Sequence, residues 1–256
     1  MIVISGPCVI ENEDKTFLLA EILRKSMDGF PVRFIFKASF DKANRTSIDS
    51  FRGVGIEKGL EILGNVKKYF GIEIITDVHE AWQVEQVAEV VDVIQIPAFL
   101  CRQTDLITEV AKSGRMINIK KGQFLSPYNI KYIIEKIRKY SNDYIFITER
   151  GVSFGYGDLV FDPRSIPIMK KFGYPVIIDA SHSVQKPYSG IDYTGGNPEF
   201  IPVIAKAGIA AGADGVFIEI HDEPDKALCD KDNCLDIGSL ESLILDLLHI
   251  KRYVNP

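Results

Sequence analysis

Short apolar runs rich in β-branched residues recur along the chain, at 2–5, 32–36, 72–76, 93–96, 116–119, 144–148, 175–178 and 215–218. Most are nearly continuous in apolar residues, as strands covered on both faces must be. Between them the apolar positions shift to the helical period, at 17–27, 55–70, 83–91, 106–112, 129–140 and 200–211. A last segment places Leu240, Leu243, Ile244, Leu247 and Leu248 on one stripe. Strand and helix therefore alternate at even spacing, and no Ser/Pro-rich linker, low-complexity stretch or internal repeat interrupts them. The pattern predicts an α/β chain forming a single-domain (β/α)8 TIM barrel over residues 1–256. A doubly wound open sheet is the main rival, and eight units in so short a chain suit it less well.

Composition narrows the partners. With 256 residues and 46% hydrophobic content the chain can bury one large core. A formal charge of -5 argues against a nucleic-acid surface, because phosphate backbones demand a net basic face. Small anions remain suitable substrates if cations are concentrated locally. The N-terminus has neither a charged leader region nor a long apolar one, and no apolar run reaches the roughly 18 residues of a membrane span. A cytoplasmic protein is expected, with no membrane partner. With a strand opening at Ile2, no regulatory domain ahead of it is expected. Cys8, Cys101, Cys229 and Cys234 are sparse and irregularly spaced, which suits free thiols or metal ligands rather than a disulfide framework.

Barrel enzymes build their sites at the C-terminal ends of the strands. Just beyond the apolar runs come Cys8, then Lys37, Ser39, Lys42, Asn44 and Arg45, then Asp77 and His79, then Gln95, Lys120, Glu149, Arg150, Asp179, His182, Glu219 and His221. Two chemical subsets emerge. Lys37, Lys42, Arg45, Lys120 and Arg150 would repel one another around a cavity unless a polyanion occupied it; a single lysine of the set could equally reach solvent or pair with an acid. Cys8, His182, Glu219 and Asp230 mix sulfur, imidazole and carboxylate, and the first, seventh and eighth strands meet when a barrel closes. Such donors suit Fe²⁺, Zn²⁺ or Mn²⁺ better than Mg²⁺ or Ca²⁺, although Cys8 alone reads as readily as a packed core thiol. Cys101 and Trp82 are expected to pack, and His249 to lie on the surface of the last helix.

At these residues the chain resembles the 3-deoxy-D-manno-octulosonate-8-phosphate synthases. The matching stretches are GPCVIE (6–11), FKASFDKANRTS (36–47), FRGVG (51–55), ITDVHE (75–80), DVIQIPAFLCRQTDL (92–106), NIKKGQF (118–124), TERGVSFGYGDLV (148–160), DASHSVQ (179–185) and FIEIHDEP (217–224). The resemblance implies a transferase of lipopolysaccharide biosynthesis that condenses phosphoenolpyruvate with arabinose 5-phosphate. It implies catalytic roles for Lys42, Lys120, Arg150 and His182. Lys37, Gln95 and Ala98 would complete the phosphoenolpyruvate pocket, Asn44, Arg45 and Thr46 would contact the aldose phosphate, and Ser39 and Asp77 would lie in the substrate site. Arg102 would reach the aldose phosphate across a subunit interface, implying a homotetramer. The related 3-deoxy-arabino-heptulosonate-7-phosphate synthases typically carry Lys-Pro-Arg-Thr where this chain has Lys42-Ala43-Asn44-Arg45, which points to the five-carbon aldose. A cysteine at position 8 resembles the metal-dependent branch, with His182, Glu219 and Asp230 as its companion ligands; the metal-independent branch has asparagine there. Two departures stand out. Gly195-Gly196 runs into Asn197-Pro198 where relatives often carry a basic residue, and Cys229 and Cys234 bring further thiols close to Asp230. A non-catalytic anion- or metal-binding barrel is the alternative of a different class.

Overall fold

The computed structural model describes residues 1–154, 157–187 and 195–254. Gly155 and Tyr156, inside the motif at 148–160, lie outside the described residues. Eight parallel strands form the barrel: β1 (Ile2–Gly6), β2 (Arg33–Lys37), β3 (Glu73–Asp77), β4 (Val93–Ile96), β5 (Met116–Lys120), β6 (Ile145–Glu149), β7 (Val176–Asp179) and β8 (Gly215–His221). Each pairs with the next, and β1 pairs with β8 from Ile2↔Gly215 to Gly6↔Glu219, closing the ring. A two-residue strand, Leu235–Asp236, extends the ladder at Ile220 and His221. The open-sheet alternative is thereby excluded.

Among the described residues eight α-helices surround the ring: α1 (Glu13–Met27), α2 (Ile56–Phe70), α3 (Val84–Val90), α4 (Thr104–Lys112), α5 (Ile130–Arg138), α6 (Ser165–Lys170), α7 (Ile201–Ala210) and α8 (Leu240–Val254). The hydrophobic pattern did not foretell α6, a six-residue helix whose internal Pro167 leaves only Ile166 and Met169 as buried apolar anchors. Elsewhere the helix ends follow local chemistry. Asn12 caps α1 by accepting from the Lys15 amide at 2.8 Å, and Gly71 closes α2 in the left-handed conformation. Among the described residues no helix is long and apolar enough to cross a membrane.

Strand geometry decides what the barrel encloses. Side chains alternate between faces, so one parity packs under the helices and the other fills the ring. Ile4, Ile35, Ile75, Val93, Phe146, Ile177 and Phe217, with Met116 against them, form the apolar plug. At its N-terminal end Arg33 donates to both oxygens of Glu73 (2.7 and 2.6 Å), its guanidinium 5.5 Å from the Phe146 ring centroid. The outer parity, including Val3, Phe36, Ile74, Ile94, Ile117, Ile147, Val176 and Ile218, joins the helices in the larger core.

Strand ends required one correction. Lys37, Asp77, Lys120, Glu149, Asp179, Glu219 and His221 were placed just past the strands, yet each lies on its strand. Main-chain pairing is indifferent to side-chain polarity when the charge finds a partner, so the ladder continues through them.

Candidate active site

The same alternation that builds the plug builds the floor of the site. Two residues beyond Ile35, Ile75, Val93, Ile177 and Phe217 come Lys37, Asp77, Gln95, Asp179 and Glu219, necessarily on the inner face. Lys120 and Thr148 occupy the same layer on β5 and β6. Above this layer opens a cavity of about 480 Å³, lined by Lys37, Lys42, Asn44, Arg45, Thr46, Asp77, Gln95, Ala98, Lys120, Arg150, His182, Glu219, Cys229 and Asp230, among others. Thirteen of these fourteen were anticipated as site residues, and Cys229 was noted only as a thiol near Asp230. Cys8 lies buried beside the cavity, against Cys229 and Asp230. Ser39 lies beneath it, where its hydroxyl donates to Asp77 Oδ1 at 2.5 Å. Arg102 is exposed and absent from the lining.

Two close approaches shape the mouth. A Cβ at Gly6 would stand 2.0 Å from the Lys37 carbonyl oxygen, so glycine is needed for the Cys8 loop to pass over β2. At Gly53, φ is +121° and a Cβ would lie 2.4 Å from the Phe40 oxygen. With Lys42 N donating to the Arg52 carbonyl (2.7 Å) and Gly55 N to that of Phe40 (3.1 Å), the 51–55 motif folds back to hold the loop bearing Lys42 to Thr46.

The expected cluster of mutually repelling cations is partly neutralised. Lys37 Nζ donates to Glu219 Oε1 and to the Cys8 carbonyl, both at 2.7 Å. Lys120 Nζ donates to Asp179 Oδ2 at 2.6 Å, and Arg45 approaches Asp230 at 3.7 Å. Lys42 has only a 4.0 Å approach to Glu219. The Arg150 guanidinium donates to Gln185 through one nitrogen and leaves another buried without a partner. A bound anion therefore has Lys42 and Arg150 as its least satisfied cations, with Lys120 beside them.

Electrostatics sharpens that ranking. Burial pulls Lys120 below the usual lysine range, although Asp179 and Glu219 oppose it; its ammonium also sits 3.6 Å from the Phe217 ring centroid. Lys42 is held well above that range, because Cys8, Glu219, Cys229 and Asp77 outweigh its burial. Burial would raise Asp179 and Glu219, yet both are depressed. His182 and Lys120 outweigh it at Asp179, and Lys37, His182, Lys42 and Lys120 at Glu219.

Asp77 is likewise buried, and burial opposes its charge. The His79 hydrogen bond and the charges of His79, Lys42 and Lys37 reverse this and hold it well below the usual carboxylate range. A depressed native pKa stabilises the fold above the unfolded value of about 3.9 and loses that contribution as pH falls toward the native one. Asp77→Asn is therefore expected to reduce the pH dependence of the urea midpoint below about pH 4. An acid limb as steep as that of the unaltered protein would show that Asp77 is not responsible.

Hydrogen-bond relays orient neutral groups as well. Thr148 Oγ1 donates to Asn118 Oδ1 (2.6 Å), and Asn118 Nδ2 donates to Gln95 Oε1 (3.1 Å). With its oxygen engaged, the Gln95 amide turns its NH₂ toward the cavity. Asp179 fixes His182 in a similar way, accepting from its backbone N at 2.9 Å and lying 2.8 Å from Nδ1. The other ring nitrogen, Nε2, faces Glu219 Oε2 at 3.7 Å and Asp230 Oδ2 at 3.9 Å. Glu219 Oε2 is buried and has no hydrogen-bond partner. Sequence reasoning placed Asp179 among the strand-end residues without a role, and left Asn118, Thr148 and Gln185 out of the site. Counting two residues from Met116 would have found Asn118.

Of the remaining expectations, Cys101 is fully buried, as predicted, and His249 is exposed. Trp82 is not packed: it lies in the short 3-10 turn Ala81–Gln83 ahead of α3, is 58% exposed and bonds Glu80 through Nε1 at 2.8 Å. All four cysteines are free.

Residues 1–254 match the model of the DAHP synthetase I family. A 2-dehydro-3-deoxyphosphooctonate aldolase of Desulfatibacillum aliphaticivorans is 52% identical over 252 residues, covering 98% of this chain and 92% of the relative. Proteins of the same name from Geobacter metallireducens and Geotalea uraniireducens are 50% and 51% identical over 254 residues, each covering 99% of this chain and 93% of the relative.

Proposed function

Since the chain belongs to the DAHP synthetase I family, and within it to the 2-dehydro-3-deoxyphosphooctonate aldolases, we propose that it condenses phosphoenolpyruvate with D-arabinose 5-phosphate and water. The products are 3-deoxy-D-manno-octulosonate 8-phosphate and inorganic phosphate, and the place of this step is lipopolysaccharide biosynthesis. One observation carries the assignment: cations with incomplete partners and a sulfur–imidazole–carboxylate cluster face each other across one cavity.

Phosphoenolpyruvate lies with its phosphate and carboxylate against Lys42, Lys120 and Arg150, while Lys37, the Gln95 amide and Ala98 complete the pocket. Asn44, Arg45 and Thr46 hold the aldose phosphate, Asp77 and the Ser39 hydroxyl bonded to it frame the sugar, and Arg102 is contributed by a neighbouring subunit of a homotetramer. C3 of phosphoenolpyruvate attacks the aldehyde carbon and water adds at C2, one proton of the water passing to the former aldehyde oxygen. The tetrahedral adduct then expels phosphate by C–O cleavage. Positive charge developing at C2 is stabilised by the nearby carboxylates, and negative charge gathering on the phosphate by Lys120 and Arg150. Lys120, with its proton held less tightly than that of an ordinary lysine, is the group suited to protonate a departing oxygen, and Asp179 stabilises the ammonium when it is recharged.

Cys8, His182, Glu219 and Asp230 are the proposed metal ligands. The orphaned Glu219 Oε2 and the His182 Nε2 turned toward it are donors suited to an ion, and Asp179 on Nδ1 is the outer carboxylate that would fix a ligating imidazole. Mixed soft and hard donors suit Fe²⁺, Zn²⁺ or Mn²⁺. Such an ion supplies Lewis-acid and orienting chemistry without redox change. The enzyme is expected to act in the cytoplasm.

Aldose preference is the direct test. Turnover with arabinose 5-phosphate should exceed that with erythrose 4-phosphate, read as phosphate release in the presence of phosphoenolpyruvate. Preference for the four-carbon sugar would assign the heptulosonate reaction instead, and binding without phosphate release would indicate a sensor.

A further inference from the structure

Asp230, one of only two non-glycine residues with positive φ among the described residues, has φ 47° and ψ 37°. In an extended segment adjacent side chains point to opposite sides. This left-handed residue, which aspartate tolerates better than most, instead lets Cys229 and Asp230 both face the cavity. The consequence is a second sulfur in the cluster. Cys229 Sγ lies 3.0 Å from Cys8 Sγ, and Cys8 Sγ lies 3.5 Å from Asp230 Oδ2. Two sets of donors, Cys8 with Cys229 and Asp230, and His182 with Glu219 and Asp230, share the one carboxylate, and within each set the donor atoms lie within 4.8 Å of one another.

We propose that Cys229 is a second thiolate ligand, so that this chain holds its divalent ion with two sulfurs rather than one. The inference rests on the metal reading above and deepens it. Ligands about 2.0–2.3 Å from a common ion lie about 2.8–3.8 Å apart along the edges of its coordination shell, and the sulfur–sulfur, sulfur–carboxylate and Glu219–His182 separations fall in that range. Charge also supports it. Two thiolates and two carboxylates around a divalent ion leave an excess of negative charge, and three cations stand ready to offset it: Lys37 on Glu219, Lys42 near it, and Arg45, whose NH1 donates to Cys229 Sγ at 2.8 Å. Arg45 thereby ties the loop assigned to the aldose phosphate to a metal ligand. Cys234 does not take this place. Its thiol donates to the Asp230 carbonyl at 3.5 Å, and it belongs to neither donor set.

A second soft donor shifts the selectivity of the site toward thiophilic ions and away from Mn²⁺. The test uses full-length protein kept reduced and loaded with one equivalent of Co²⁺, whose near-ultraviolet thiolate-to-metal charge-transfer absorption scales with the number of bound sulfurs. Cys229→Ser and Cys229→Ala should each lose about half of that intensity, since each thiolate contributes a comparable share, and should favour Zn²⁺ over Mn²⁺ less strongly in competition. Thermal unfolding of the apo proteins checks that both variants fold. A band unchanged in both variants but diminished by Cys8→Ser would overturn the second ligand and leave the metal reading standing. Absence of any thiolate–cobalt band in the unaltered protein would overturn both.

Discussion

Replacing Lys120 with methionine is expected to lower kcat/KM by about 10²–10³-fold, the typical cost of removing one preorganised group that stabilises transition-state charge. Its ammonium lies between Asp179, the His182 imidazole and the cavity, and the neighbouring Lys37 is committed to Glu219 and the Cys8 carbonyl. Methionine keeps the length and apolar stem, so packing against Phe217 survives while the charge is lost. Asp179 is left buried without its lysine, but His182 still faces it. The variant should therefore fold and retain phosphoenolpyruvate binding through Lys42 and Arg150, with the loss falling mainly on kcat. Steady-state kinetics with both substrates varied will separate the terms. Retention of turnover within a few-fold of the unaltered enzyme would remove Lys120 from the mechanism.

Removal of the metal should be equally severe. Dialysis against a chelator is expected to abolish phosphate release, and Fe²⁺, Zn²⁺ or Mn²⁺ to restore it, with Mg²⁺ a poor substitute because it demands oxygen donors. Without an ion, burial together with Cys229, Asp230 and Glu219 holds the Cys8 thiol well above its ordinary range; a divalent charge is what makes the thiolate accessible at neutral pH. Cys8→Ala should lose metal and activity together, whereas Cys8→Asn should keep part of the turnover if the chain can adopt the metal-free manner of the branch with asparagine there. Elemental analysis beside the assay decides the matter: full activity in protein free of metal would refute the dependence.

The barrel was legible because its signal is redundant. Most of the eight apolar runs read as strands buried on both faces, and misreading one would still leave the strand–helix alternation of a barrel. Their ends were less visible, since a lysine or aspartate closing a strand looks like the start of a loop until its partner across the ring is known. Lys120 and Asp179 illustrate this, being 59 residues apart in sequence and 2.6 Å apart in space. Cys8, His182 and Glu219 were singled out by their position at the strand ends and by the resemblance, since by residue type alone they are a weak metal signal. Individual chemistry was hidden where function depends on orientation: nothing in Cys229 or Asn118 as letters says that one faces Cys8 or that the other turns the Gln95 amide. The short helix at Ser165–Lys170 escaped for a simpler reason, having too few turns to establish a period.

The pairing of Gly6 with Glu219 has a consequence for biogenesis. Cys8 follows the first stave of the cylinder, while Glu219 lies on its last and Asp230 in the loop beyond it, more than two hundred residues later. On the metal assignment proposed above, the donors cannot meet until the final stave docks against the first, so metal uptake would report completion of the whole circle.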